Sequence, residues 1–79
     1  MQNALALQVD QKRFTMEYMN GKEVIKRLTA NGWVVLRQNG SHVRLGKGAA
    51  RTTVPVHGTS GIRAGTLANI ERQSGLKLK

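Results

Sequence analysis

The chain has no cysteine, one proline, three aromatic side chains and only four acidic groups. Each shortage removes a class of protein. Without cysteine there is no disulfide and no thiolate metal site, and a reducing compartment is the expected setting. No apolar run approaches the roughly 20 residues that span a bilayer, so no membrane role is expected. The start, Met1-Gln2-Asn3-Ala4-Leu5, has neither the basic nor the long apolar region of a signal peptide, and the cytoplasm is the expected location. A single Trp is too little for a base-stacking platform, so Trp33 reads as a core or rim residue. Two histidines without neighbouring carboxylates make a poor metal site, and no metal or other cofactor is expected.

What the chain does have is positive charge. Thirteen Lys and Arg stand against four Asp and Glu, a net +9 over 79 residues. Residues 1–18 balance, with Asp10 and Glu17 against Lys12 and Arg13, so the whole excess lies in residues 19–79. So basic a small unit attracts polyanions, most often nucleic acid; the bland alternative is a solvated basic surface. An anionic membrane surface fits less well, because no helix pairs a broad apolar face with a Lys-rich one.

The length allows one domain with one modest core. Residues 1–18 are expected to be an extension outside it: Met16 and Met19 are both plausible starts, and Leu5, Leu7 and Val9 fit a strand or a frayed helix. The first clear element is a helix from about Gly21 to Asn31. Asn20 caps it, Glu23 completes a capping box, Val24, Ile25 and Leu28 form its apolar stripe, and Gly32 ends it.

A hairpin follows. Asn39-Gly40 is the strongest short-range hairpin signal, because both central residues of a type I′ turn need φ > 0. Strands over Trp33–Gln38 and Ser41–Leu45 then pair Arg37 with His42, Leu36 with Val43, Val35 with Arg44 and Val34 with Leu45. Paired residues share a face and successive residues alternate. One face carries Val34, Leu36, Val43 and Leu45 and reads as core. The other carries Val35, Arg37, His42 and Arg44, an imidazole between two guanidinium groups.

A third strand is expected over Arg51–Val56, with Thr52, Val54 and Val56 on one face. Pro55 has no N–H for a ladder, so the strand belongs at a sheet edge. A second helix runs from about Ala64 to Ser74, with Leu67 and Ile70 facing a core that includes Ile62 and Leu76, and Gly75 terminates it. The order α-β-β-β-α predicts a two-layer α+β domain. Its antiparallel three-stranded sheet carries both helices on the apolar face and turns His42 outward.

These residues resemble the HicA family of bacterial toxins. The resemblance begins with Lys22-Glu23-Val24-Ile25-Lys26-Arg27-Leu28 and Asn31-Gly32-Trp33. It continues through Gly40-Ser41-His42 and Thr53-Val54-Pro55-Val56-His57-Gly58. It closes with Gly65-Thr66-Leu67, Ile70 and Gln73-Ser74-Gly75-Leu76. It covers about residues 20–78. It implies a double-stranded-RNA-binding-domain-like fold and the function of an mRNA interferase, the endoribonuclease toxin of a type II toxin–antitoxin system. It also implies a HicB-type antitoxin that covers the His42 face, with any larger assembly formed only through that partner. The histidine of the family's Gly-Ser-His motif is His42 here. Many relatives carry a second His or a bulky residue at the next position, where this chain has Val43.

The chemistry fits that implication. An imidazole with an ordinary pKa near ~6.5 can serve as base or acid at neutral pH. Cleavage of RNA needs no metal if a base takes the 2′-OH proton and cations stabilise the charged transition state. Arg37 and Arg44 are placed for the second task. Lys22, Ser41, Lys47, Arg51 and Arg63 complete the set expected to hold RNA. The partner acid or base for His42 is unassigned. His57, at a strand end before Gly58, reads as a turn residue. Ser41 is no hydrolase nucleophile, because adjacent strand residues point to opposite faces. Gly46-Lys47-Gly48 lacks the length and the following helix of a P-loop. Two other functions share the charge pattern, a non-catalytic RNA-binding domain and a small basic structural protein of the ribosome.

Overall fold

The computed structural model describes residues 19–78. The expected strand or helix near Leu5–Val9 and the other expectations for residues 1–18 lie outside them. The elements are α1 (Gly21–Ala30), β1 (Val34–Asn39), β2 (His42–Lys47), β3 (Ala50–Pro55) and α2 (Ala64–Ser74). The strands form one antiparallel sheet in the order β1-β2-β3. The expected α+β architecture is therefore the one observed, and Pro55 stands on an edge strand.

α1 is closed at both ends by its own sequence. The Asn20 side chain accepts the Glu23 N–H at 2.9 Å, and Glu23 Oε1 accepts the Asn20 N–H at 3.0 Å. Two of the four orphan donors of the first turn are thereby satisfied. At the other end Gly32 takes φ 94°. Its N–H donates to Thr29, and the Trp33 N–H donates to Leu28. This is the Schellman pattern, in which the residue after the glycine packs back onto the last turn. Trp33 is accordingly buried in the core, not at its rim. Lys47 Nζ donates to the Asn31 carbonyl at 2.8 Å and adds a positive charge at the helix C-terminus.

The core is Val24 and Leu28 of α1, Leu67 and Ile70 of α2, and Val43, Leu45 and Val54 of the sheet, with Trp33, Ile62 and Leu78. Leu76 and Val56 pack against it. Buried Thr52 donates its hydroxyl to Gln73 Oε1 at 2.7 Å, which satisfies the one polar side chain in the layer. α2 packs on β3, while α1 reaches both β3 and β1. The helices thus cover the Val43–Leu45 face and leave His42 and Arg44 outside.

The hairpin differs from expectation in its turn. Asn39 pairs with His42, so Gly40 and Ser41 are the two loop residues. Among the described residues only glycines take a positive φ, and Gly40 does so at 63°. That excludes a type I′ turn centred on Asn39-Gly40 and matches the II′ pattern, which needs glycine first. The Gln38 side chain donates to the Gly40 carbonyl at 3.0 Å and holds the loop. Moving the turn by one residue moves each partner by two. Arg37 therefore opposes Arg44 rather than His42, but both stay on the outer face.

A second correction lies further down β1. Val35 pairs with Leu45 and Arg37 with Arg44, so Leu36 is an extra, bulged residue. Beyond the bulge the faces exchange, and Val34 now opposes Gly46 instead of Leu45. Leu36 leans over Gly46: its Cδ1 would stand 2.9 Å from a Cβ built there. Val34 and Leu36, expected in the core, are 59% and 49% exposed. The local cause is the bulge, which turns an alternating pattern over within one strand.

α1 also touches the sheet through a glycine. A Cβ on buried Gly21 would lie 2.4 Å from the Pro55 carbonyl oxygen and 2.9 Å from the Val56 Cα. Both are backbone atoms and cannot rotate away. Gly21→Ala should therefore destabilise the fold by about 1–3 kcal/mol, the cost of overpacking, although alanine favours a helix by about 1 kcal/mol. Urea unfolding checks this, and a stabilised variant would show that α1 does not press on β3.

Candidate active site

The outer face is built by strand alternation. On β2 it carries His42 and Arg44. On β3 their partners are Pro55 and Thr53, and on β1 they are Asn39 and Arg37. Arg44 Nη1 donates to Thr53 Oγ1 at 3.0 Å, a side-chain bond across the outer face of the sheet. Arg37, Asn39, His42, Arg44 and Thr53 line one open hollow of about 380 Å³.

A larger groove of about 600 Å³ lies against it and shares His42 and Thr53 as its wall. Its other side is the segment from His57 to Thr66, including Ser60 and Arg63. This segment is tied down by backbone. The Ile62 N–H donates to the Met19 carbonyl at 2.9 Å, and Asn20 bridges Gly61. Arg63 is the N-cap residue of α2 and makes no side-chain cap, and the first turn of α2 has no acidic residue. The positive end of the helix dipole thus adjoins the groove together with the Arg63 charge.

The expected site residues separate into two groups. Arg37, Arg44 and Arg63 gather around His42 in the two hollows. Lys22, Ser41, Lys47 and Arg51 line neither. Lys22 is on α1, behind the sheet. Ser41 is in the turn, where its carbonyl accepts the Val56 N–H at 2.7 Å. Lys47 holds the end of α1. Arg51 Nη1 donates to the Gly48 and Ala50 carbonyls at 2.8 Å and closes the β2–β3 loop.

His57, read from the sequence as a turn residue, lines the groove with His42. Its carbonyl does serve the turn, accepting the Ser60 N–H at 3.0 Å. Its imidazole is exposed. The alternation Thr53, Pro55, His57 is only a weak signal for this, since β3 ends at Pro55 and the following His-Gly reads as an exit from the sheet. Thr66 of the groove had no such signal, because only folding brings the start of α2 there. Among the described residues, no three His, Cys, Asp or Glu side chains gather as metal donors.

A basic, open groove with an imidazole on its wall has the chemistry to attract a phosphate-bearing or acidic group. The family comparison is more specific. The model described as HicA toxin of bacterial toxin-antitoxin matches residues 21–76. The protein is thus a toxin of a bacterial toxin–antitoxin system, for which an antitoxin is the natural partner. The chain belongs to the HicA toxin family. No curated protein and no solved structure matches it significantly. No helix among the described residues is long and apolar enough to cross a membrane.

The placement of the cations can be tested without assuming a reaction. Arg44→Ala, Arg63→Ala and Lys22→Ala each remove one charge. If the groove is where polyanions bind, the two arginine variants should elute from a heparin column at lower salt than Lys22→Ala. Equal elution of all three would mean that net charge alone sets the affinity.

Proposed function

We propose that this HicA-family chain is an endoribonuclease, the mRNA interferase of a type II toxin–antitoxin pair, working in the cytoplasm. We further propose that a HicB-type antitoxin silences it by covering the His42 face. The observation that carries this reading is the position of His42. It stands on the shared wall of two hollows, with Arg37 and Arg44 on one side and Arg63 on the other.

A simple RNA-binding surface needs cations, and an imidazole at their centre adds nothing to charge-based binding. For cleavage the same imidazole has a task. RNA carries its own nucleophile, the 2′-OH, next to the phosphodiester it can attack. His42 takes the proton from that hydroxyl as attack begins. The 2′-oxygen then bonds to phosphorus and the 5′-oxygen leaves, giving a 2′,3′-cyclic phosphate. Negative charge grows on the phosphoryl oxygens during this step. Arg44, bonded to Thr53, and Arg37 in the same hollow supply the guanidinium groups that stabilise those oxygens. On this reading no resident metal takes part. RNA is held mainly through phosphate, and sequence preference is weak.

His42→Ala should abolish cleavage of a long single-stranded RNA, a loss of ~10²–10⁴-fold for an acid–base group. His42 is exposed, and no side chain among the described residues hydrogen-bonds to it. Stability should therefore stay within about ±0.5 kcal/mol of the parent. The assay is run with chelator present. Cleavage by His42→Ala would remove the catalytic assignment, and loss of wild-type cleavage on adding chelator would replace proton transfer with metal-assisted chemistry.

The active unit is proposed to be residues 19–79, with residues 1–18 an extension. A chain starting at Met19 should keep full cleavage activity, and an inactive but folded product by circular dichroism would move the boundary.

A further inference from the structure

His42 can take a proton from the 2′-OH, but cleavage also needs a proton for the departing 5′-oxygen. We propose that His57 is the catalytic residue that supplies it, as the general acid opposite His42. The inference rests on the ribonuclease reading above and adds the second proton-transfer group to it.

Three observations carry it. The first is register. His42 pairs with Pro55, and the Val56 N–H donates to the Ser41 carbonyl at 2.7 Å, so the chain still runs beside the hairpin after β3 ends. His57 is the next outward position after Pro55. It lies two residues past the last pairing of β3, and it lines the same groove as His42. The proposal requires a phosphate seated in that groove, with a hydrogen bond of about 2.6–3.2 Å to an imidazole on each side.

The second observation is elimination within the groove. Among the described residues its lining holds no carboxylate, thiol, lysine or tyrosine. Arg63 cannot give up a proton, and the hydroxyls of Thr53, Ser60 and Thr66 are far too weakly acidic. Among the described lining residues the two imidazoles are the side chains suited to proton transfer. The charged groups facing His57 are Arg63 in the same groove and Arg44 and Arg37 in the adjoining hollow.

The third observation is that the fold makes no use of the His57 ring. The turn is held by the His57 carbonyl, and no hydrogen bond reaches the imidazole from any described residue. A side chain kept only for the turn would not need this ring.

The step balances. Neutral His42 accepts the 2′-OH proton while the 2′-O–P bond forms. The P–O5′ bond breaks, and protonated His57 gives its proton to the 5′-oxygen. The products are a 2′,3′-cyclic phosphate and a free 5′-hydroxyl, with no electron transferred to or from any other reagent. The base is active when deprotonated and the acid when protonated, so the rate should rise and then fall with pH.

The test uses the full chain and two substrates. One is an RNA oligonucleotide that the wild type cleaves. The other is the same RNA with sulfur replacing the bridging 5′-oxygen at the cleaved linkage, because a thiolate leaves without a proton. His57→Ala should lose ~10²–10⁴-fold on the oxygen substrate and less than about 5-fold on the sulfur substrate. The fall in rate at high pH should vanish with it. His57→Gln should behave alike, since an amide cannot act as the acid. His42→Ala should lose activity on both substrates. Equal losses on both by His57→Ala, a retained high-pH fall, or wild-type cleavage by either His57 variant would each overturn the general-acid role while leaving the ribonuclease reading intact. Failure to find any RNA that the wild type cleaves would overturn both.

Discussion

The constraint on which the rest depends is that β2 is hydrogen-bonded along both edges. Its neighbours fix the alternation of its side chains, and that alternation divides core from site. Val43 and Leu45 point to the helices and are buried, at roughly 1.5–3 kcal/mol each. His42 and Arg44 point away. A slip of one residue would expose both apolar side chains and drive an imidazole and a guanidinium into the core. Against a total stability of about 5–15 kcal/mol that is prohibitive. The outward position of His42 is therefore set by the packing of the core residues Val43 and Leu45. The same packing explains why removal of an outward side chain can be expected to leave the fold alone.

β1 is held less tightly, and the difference is visible in its geometry. It is an edge strand with β2 on one side only, and α2 packs on β3 at the other edge. Here the chain accommodates a bulge at Leu36, and Val34, Val35 and Leu36 are all exposed. The bulge has a local use. Leu36 lies over Gly46, where any side chain on β2 would collide with it. Between the bulge and the turn the faces keep the parity the site needs, so Arg37 reaches the hollow beside Arg44.

How far the sequence could be read follows from the same physics. Both helices and the order of the three strands were legible, because capping at Asn20, the glycines at 32 and 75 and helical spacing of Val24, Leu28, Leu67 and Ile70 are local signals. The outward face of His42 was legible even though the turn was misplaced. A turn moved by one residue shifts partners by two and preserves faces. The exposure of Val34 and Leu36 was not legible, because a bulge leaves no mark on Trp33-Val34-Val35-Leu36, a run in which every residue is apolar. Nor was the closeness of His57 to His42. It depends on the Val56–Ser41 hydrogen bond continuing the ladder past Pro55, and a proline followed by His-Gly reads locally as an exit from the sheet. The RNA-binding set shows the limit of counting charges. Lys47 and Arg51 look free in the sequence and are engaged with backbone carbonyls in the fold.

The two acidic residues in the matched region complete the argument. Glu23 is spent on the capping box of α1, and Glu71 Oε2 accepts the Leu78 N–H at 2.6 Å to fasten the C-terminal segment. Neither lines the groove, so among the described residues no carboxylate stands with Arg37, Arg44 and Arg63 in the two hollows that His42 shares. Low-dielectric walls focus the field of such charges and raise the local concentration of anions. On the proposed function this has a double consequence. The charges that draw RNA phosphate into the groove also draw acidic side chains of an antitoxin laid over it. Inhibition then needs no second surface, since one set of cations serves both ligands and whichever is bound excludes the other.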